Sequence, residues 1–276
     1  MANMAYYVIG DIHGCFDTLM SLLKVIQFNP ACDTMVCVGD LVGRGPKPLE
    51  VLRYVLNTSN VHCTLGNHDL WCMAIAYGCY DDKTSEFHNL FKTPEDMQLL
   101  DQWRLSSKML IHNNDLKIIV THAGLPPQWS LPQAKALAEE MEHALHGRDF
   151  KSVLAALEGD EPHCWDESLM GARRYRYIVN ALTRMRFCDK NGCLDFKEKD
   201  VIQSCQEHLK PWFEWPHHLD HCRLFFGHWA ALKGVSSKAN IIGTDTGCVY
   251  GGFLTAYKVQ DPTSLPLCFR VPYQEN

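Results

Sequence analysis

Six short apolar runs punctuate the chain: AYYVIG, TMVCVG, VHCTLG, LKIIVT, RLFFG and NIIGT. Their length and their Val, Ile, Phe and Tyr content predict buried strands. The first three lead into segments with helical periodicity, near Phe16 to Ile26, Pro48 to Leu56 and Leu70 to Tyr77. Strand, loop and helix in repetition imply parallel βαβ units. The stretches 78–115 and 130–220, which include LPQAKALAEEMEHALHG (131–147), are largely helical in pattern and are expected to be insertions forming a cap. After 220, the runs 223–226, 240–243, 253–259 and 267–271 have no helices between them, which predicts antiparallel strands and a second sheet. No repeat, low-complexity run or linker interrupts the chain. The fold expected is α/β: one domain over residues 1–276, a sandwich of two mixed β-sheets flanked by helices, with a helical cap.

The residues just past each strand point to chemistry. They are Asp11-Ile12-His13, Asp40, Asn67-His68-Asp69, His122, His228 and Asp245, all but Ile12 polar and most of them metal-ligand types. Glycine directly precedes Asp11, Asp40, Asn67 and His228, where a small residue permits a sharp turn and close approach. In a parallel sheet the carboxyl ends of the strands share one edge, so these residues are expected to converge there. A lone Asp after a strand is most often a helix cap and a lone His a satisfied polar residue, but six strand ends delivering such groups together exceed what capping needs. Two aspartates, an asparagine and three histidines, with no thiolate required, suit Mn, Fe, Co or Zn. Six ligands are more than one ion uses; two ions about 3.5–4 Å apart, sharing a carboxylate, use them naturally.

Composition narrows the partners. With 276 residues and 46% hydrophobic content the chain can bury a full core, and its formal charge of −6 offers no long-range attraction for nucleic acid, DNA included, or an anionic membrane. Thirteen cysteines lie singly with no CxxC pair, as Cys37, Cys63 and Cys72 do, and are expected to be mostly reduced core residues. The opening MANMAYYVIGDIHG lacks a basic segment and a long apolar run, which leads to an expected cytoplasmic location. Among the fourteen histidines, those at 62, 88, 112, 143, 146, 163, 208, 217, 218 and 221 show no strand-end pattern and are read as structural or solvated.

GDIHG (10–14), GDLVGRGP (39–46), GNHD (66–69), THAG (121–124) and GHW (227–229) resemble, in order, the metallophosphoesterase motifs of the phosphoprotein-phosphatase superfamily. LGNHDL, ALTRMRF (181–187), KPWF (210–213) and DTGCVYGG (245–252) are similar to the bacterial symmetrical diadenosine tetraphosphatases. That resemblance implies cleavage of diadenosine tetraphosphate to two ADP with manganese or cobalt, and it makes nucleoside-tetraphosphate-capped RNA ends a second candidate substrate. It implies that Asp11, His13 and Asp40 hold one metal, and that Asp40 bridges to a second held by Asn67, His122 and His228. A bridging hydroxide would then attack phosphorus in line. His68 would protonate the leaving oxygen and Arg44 would grip phosphoryl oxygens. Asp69 is expected to cap the adjoining helix.

One residue departs from the wider superfamily. Its protein phosphatases carry GDxVDRG, whose second Asp supports the catalytic His; here Gly43 stands there, so no carboxylate reaches His68 from that position. A phosphoanhydride, whose leaving phosphate ionises near pKa 6, would tolerate a less supported acid than a serine ester does. The segment MGARRYRYIVNALTRMRF (170–187) adds positive charge: Arg173, Tyr177, Asn180 and Arg184 fall on one helical stripe, with no acid between Glu167 and Asp189. Arg184, with Arg173, Arg174 or Arg186, is expected to hold polyphosphate, and Tyr177 to stack near a base. Trp229 is read as packing, and Asp245 either as a group orienting a metal-bound His or as the start of a turn. Two other readings use the same residues: a Ser/Thr-type protein phosphatase, which would be expected to keep an aspartate at 43, and a non-catalytic scaffold, which would usually have lost ligands.

Overall fold

The computed structural model describes residues 4–83, 86–87, 90–198, 208–219 and 221–275. All six anticipated strands form: β1 (Tyr6–Ile9), β2 (Thr34–Cys37), β3 (Val61–Cys63), β5 (Ile118–Thr121), β9 (Arg223–Phe226) and β10 (Ile241–Gly243). So do the three helices after the first strands, α1 (Phe16–Val25), α2 (Pro48–Asn57) and α3 (Asn67–Ala76). Proline at the first turn of α2 suits a position whose N–H has no helical partner.

Two mixed sheets result. The first has the order β12-β11-β1-β2-β3, with β1, β2 and β3 parallel and β11 (Phe253–Val259) and β12 (Leu267–Pro272) antiparallel. The second has the order β10-β9-β5-β4, where β4 (Leu110–Asn113) is antiparallel to β5, and β9 is parallel to both β5 and β10. Side chains alternate along β1: Tyr6 and Val8 face the other sheet, meeting Val36, Val120, Phe225 and Val259, while Tyr7 and Ile9 face the helices. Both sheets are therefore covered on two sides, which explains why their central strands read as continuous apolar runs.

Two details differ from the sequence expectation. The strands after 220 are not one antiparallel set. The connection from β9 to β10 contains a short 3-10 turn, Ala230–Leu232, and crosses over, so that pair is parallel, while β11 returns to flank β1 and β12 forms the edge beyond it. Within 78–115, α4 (Pro94–Ser106) packs on α2 and α5 (Leu131–His146), but β4 belongs to the second sheet. The 130–220 stretch contributes α5, α6 (Phe150–Ala155), α7 (Gly171–Thr183) and a small antiparallel sheet of β6 (Phe187–Cys188), β7 (Leu194–Asp195) and β8 (Lys210–Pro211). Cys164 and Cys193 form a disulfide within this stretch, whereas most of the other described cysteines, such as Cys37, Cys63 and Cys72, are buried thiols. No helix among the described residues is long and apolar enough to cross a membrane.

Candidate metal centre

Asp11 lies just past β1, Asp40 past β2, Asn67 opens α3 just past β3, His122 directly adjoins the end of β5, and His228 and Asp245 lie past β9 and β10. The loops that carry them are tied by backbone hydrogen bonds: His13 N–H donates to Asp40 O at 2.7 Å, and Gly227 N–H to His122 O at 2.7 Å. Asp40 lies at the centre. Its Oδ2 is 3.5 Å from His13 Nε2 and 3.4 Å from His122 Nε2, and its Oδ1 accepts the His68 N–H at 2.9 Å. Asp11 Oδ2 lies 4.0 Å from His13 Nε2, and Asn67 Oδ1 lies 3.3 Å from His122 Nε2. The Asp11 carboxylate also accepts the His228 N–H at 3.0 Å.

Each ligand-type histidine has one ring nitrogen against a backbone carbonyl: His13 Nδ1 on Val42 O at 3.2 Å, His122 Nδ1 on Val38 O at 3.0 Å, and His228 Nε2 on Arg184 O at 3.2 Å. A carbonyl only accepts, so the nitrogen facing it carries the proton and the opposite nitrogen keeps its lone pair. That arrangement fixes a metal-ligating tautomer. Asp11, Asp40 and His122, all buried, bring ligand atoms within 4.8 Å of one another. The donor set therefore fits divalent cations. A second grouping, His163 with Cys164 and Cys193, has its two sulfurs joined to each other.

Four residues of the cluster have a strained backbone. His13, Asp40, Arg44 and His228 have φ of 48°, 49°, 49° and 65°, in the left-handed region that costs non-glycine residues about 1–3 kcal/mol each. The surrounding hydrogen bonds hold them there and aim the side chains inward. Close approach explains two glycines before ligands. A Cβ on Gly66 would lie 2.0 Å from Asp40 Oδ1, and one on Gly227 would lie 1.9 Å from Asp11 Oδ1.

Electrostatically the cluster is crowded with carboxylates. Burial, then repulsion by Asp245 and Asp40, pushes the Asp11 carboxyl well above its usual range. Burial, with Asp40 adding to it, brings Asp245 up to about 6 despite the Gly247 amide it accepts. Asp40 is held well below its usual value, because His122, His68 and His13 outweigh the burial that raises it. Burial lowers His13 to about 4 and, with Arg186, keeps His228 neutral. Neutral His13 and His228 beside crowded carboxylates suit a cation site, whereas His122 is raised, because Asp40 outweighs its burial.

Asp69 is a cap and also a clamp. It is fully buried, and its Oδ2 accepts Gly66 N–H at 2.9 Å at the start of α3. Its Oδ1 accepts Leu41 N–H at 2.9 Å and Val42 N–H at 3.3 Å, which fixes the loop carrying Asp40. Asp245 begins a turn through Gly247 and also lines the metal cavity. Trp229 packs against Phe187 with ring centroids 4.8 Å apart.

The basic helix is corrected in part. Its Tyr177 is buried, donates to Gly192 O at 3.2 Å and accepts from Gln128 at 2.9 Å, so it cannot stack on a base. Nor is the stripe without acids, because they come from other elements. Arg174 makes a two-pronged contact with Glu140 and lies over Trp165, while Arg184 donates to Asp160 Oδ1 at 2.8 Å and to Asn180 Oδ1 at 3.0 Å. Arg173 is exposed near the far end of α7 and lines neither cavity at the metal edge. Arg184 lines a cleft of about 490 Å³ that reaches Asn67 and includes Trp71, Tyr80 and Lys83. Arg44 and Arg186 line the adjoining cavity of about 190 Å³ with His13, Asp40 and His68. Arg44 lies over Tyr250 at 5.5 Å, and Arg186 donates to His228 O at 3.3 Å.

Glu86 and Tyr250 were missed from sequence. Glu86 lies in a polar stretch, DDKTSEFHN, that gives no local signal, yet its Oε1 is 3.4 Å from His68 Nδ1 and accepts Arg44 N–H at 2.8 Å. His88, read as a bystander, lies outside the described residues.

The sequence profile of the calcineurin-like phosphoesterases matches residues 4–192. The chain belongs to that family, in the branch of the symmetrical bis(5'-nucleosyl)-tetraphosphatases. Proteins so named from Coxiella burnetii (strain RSA 331) and Cellvibrio japonicus are 41% and 42% identical to it. The first match covers 94% of this chain and 91% of the relative, the second 92% and 94%. Among solved structures, a provisionally assigned diadenosine tetraphosphatase shares the fold at a TM-score of 0.65 and 24% identity, covering 100% of this chain and 96% of the other. A protein serine/threonine phosphatase from Saccharomyces cerevisiae has a TM-score of 0.57 at 14% identity, covering 99% and 81%.

Proposed function

We propose that the protein hydrolyses diadenosine tetraphosphate symmetrically to two ADP. The observation that carries this reading is the convergence of Asp11, His13, Asp40, Asn67, His122 and His228 on one edge beside a cleft of about 490 Å³. The relatives' names supply the substrate. In this reading Asp11, His13 and Asp40 hold one divalent cation, and Asp40, Asn67, His122 and His228 a second, manganese or cobalt being the candidates. Bound there, the cations supply an activated water and neutralise phosphoryl charge.

The chain's own groups do the rest. Arg44 and Arg186 line the small cavity and grip phosphoryl oxygens with planar forks, Arg44 being steadied over Tyr250. Arg184, held by Asp160 and Asn180, meets the distal phosphates where the cleft opens. His68 gives a proton to the departing ADP oxygen. Buried thiols such as Cys15, Cys37, Cys63 and Cys72 suit a reducing compartment, so the cytoplasmic location remains part of the proposal, although the Cys164–Cys193 pair does not argue for it.

Chromatography of the products from diadenosine tetraphosphate with manganese tests the reading. ADP alone supports it; ATP with AMP, or no turnover, refutes it. A nucleoside-tetraphosphate-capped RNA and a phosphopeptide, run in parallel, examine the capped-end and protein-phosphatase alternatives.

A further inference from the structure

We infer that Glu86 is the positioning residue for His68, supplying from a separate loop the carboxylate that position 43 lacks. The inference rests on the anhydride hydrolysis proposed above. Gly43 has a φ of 113°, and a Cβ built on it would meet three atoms first: Glu86 Oε1 at 2.9 Å, His13 Nδ1 at 3.1 Å and His68 Nδ1 at 3.1 Å. The space beside Gly43 is thus already filled by a carboxylate, one that enters from residue 86. His68 Nδ1 is buried and makes no closed hydrogen bond; its carboxylate neighbour is Glu86 at 3.4 Å. That separation is loose for N–H···O, as catalytic hydrogen bonds often are before substrate tightens them.

Glu86 is itself held. Its Oε1 accepts the Arg44 N–H at 2.8 Å, so the carboxylate is fixed to the same loop that carries Asp40. The opposite side of the imidazole is the side that lines the small cavity, since Nδ1 is buried. Glu86 would therefore keep the Nδ1 proton, hold the ring edge-on to His13 at a centroid distance of 4.9 Å, and stabilise the imidazolium. In the reaction a water oxygen bonds to phosphorus and the bond from phosphorus to the bridging oxygen breaks. The electron pair stays on the leaving ADP oxygen, which takes the proton from His68 Nε2 and leaves a neutral imidazole whose Nδ1–H donates to Glu86; the proton shed by the attacking water passes to solvent, and uptake of one proton at Nε2 resets His68. The unsupported acid expected from the loss of an aspartate at 43 is replaced by one supported from another element.

A double-mutant cycle tests this. Glu86→Gln keeps the acceptor for Arg44 N–H and removes the charge, and should lower kcat on diadenosine tetraphosphate about 10- to 100-fold with little change in KM. Glu86→Asp should recover part of the loss. In a His68→Asn background, itself slowed about 10²- to 10⁴-fold, Glu86→Gln should change kcat less than about twofold. In the metal-free protein, histidine nitrogen NMR should find neutral His68 protonated on Nδ1, and a mixture of tautomers in Glu86→Ala. Equal losses from Glu86→Gln in both backgrounds, or a raised KM at unchanged kcat, would overturn the inference, the latter because Glu86 would then act through Arg44. A wild-type enzyme that does not cleave the dinucleotide would instead sink the proposed function, and the tautomer measurement still decides whether Glu86 sets the ring.

Discussion

Gly66→Ala isolates the geometric demand that the metal edge makes on the chain. Gly66 has φ −94° and ψ 175°, which alanine adopts without strain, so any effect comes from the added methyl group. That methyl would lie 2.0 Å from Asp40 Oδ1, 2.5 Å from Asp40 N and 2.7 Å from its Cγ. Cβ contacts under 3.0 Å are essentially never found, so the carboxylate must recede by about 1 Å. Asp40 has little room to recede, because its Oδ1 is bound by His68 N–H and its loop is clamped by Asp69. Overpacking of this kind costs about 1–3 kcal/mol, which for a chain of this size lowers the melting midpoint by about 2–4 °C per kcal/mol. Displacing the shared ligand by 1 Å should cost activity about 10²-fold. The assay pairs kcat on diadenosine tetraphosphate with metal content after manganese saturation. Gly147→Ala is the control, since its φ is −68° and its nearest atom is 3.4 Å away. A Gly66→Ala protein with two bound metals and full activity would refute the reasoning.

Three further outcomes rest on the same contacts. Arg184→Ala should raise KM for the dinucleotide about tenfold, the loss of a charge-assisted hydrogen bond, and leave KM for a small phosphate ester unaltered; equal effects on both would remove Arg184 from the polyphosphate site. Tyr177→Phe should lower stability by about 1 kcal/mol with no change in kinetics, because its hydroxyl serves Gly192 and Gln128; a raised KM would restore it as a substrate contact. Asp69→Ala should destabilise by about 2–4 kcal/mol, leaving three buried amides without their acceptor, and should reduce metal uptake as the Asp40 loop loosens; calorimetry and metal analysis would show otherwise if Asp69 were only a helix cap.

The clustering of the strand-end side chains was legible because a strand that stops at glycine and then presents an acid, an amide or an imidazole declares its direction, and so the edge those groups share, within a few residues. Side chains that act across the fold were not. Arg174 and Arg184 looked unopposed in sequence because Glu140 and Asp160 are 34 and 24 residues away, and Tyr177 shared a helical stripe with Arg173 and Arg184 although its own side chain is buried. Glu86 was hidden for the same reason: it is 18 residues past His68, in a loop whose composition reads as solvated surface. Sheet order after residue 220 was also not legible. Absence of long helices suggested antiparallel neighbours, but the crossover after His228 needs only a 3-10 turn to bring β10 alongside β9 in parallel.

Anomalous diffraction from crystals grown with manganese tests the central claim most directly. Two peaks about 3.5–4 Å apart are predicted, with Asp40 between them, Asp11 and His13 on one, and Asn67, His122 and His228 on the other. A single peak, or peaks away from these side chains, would contradict the account.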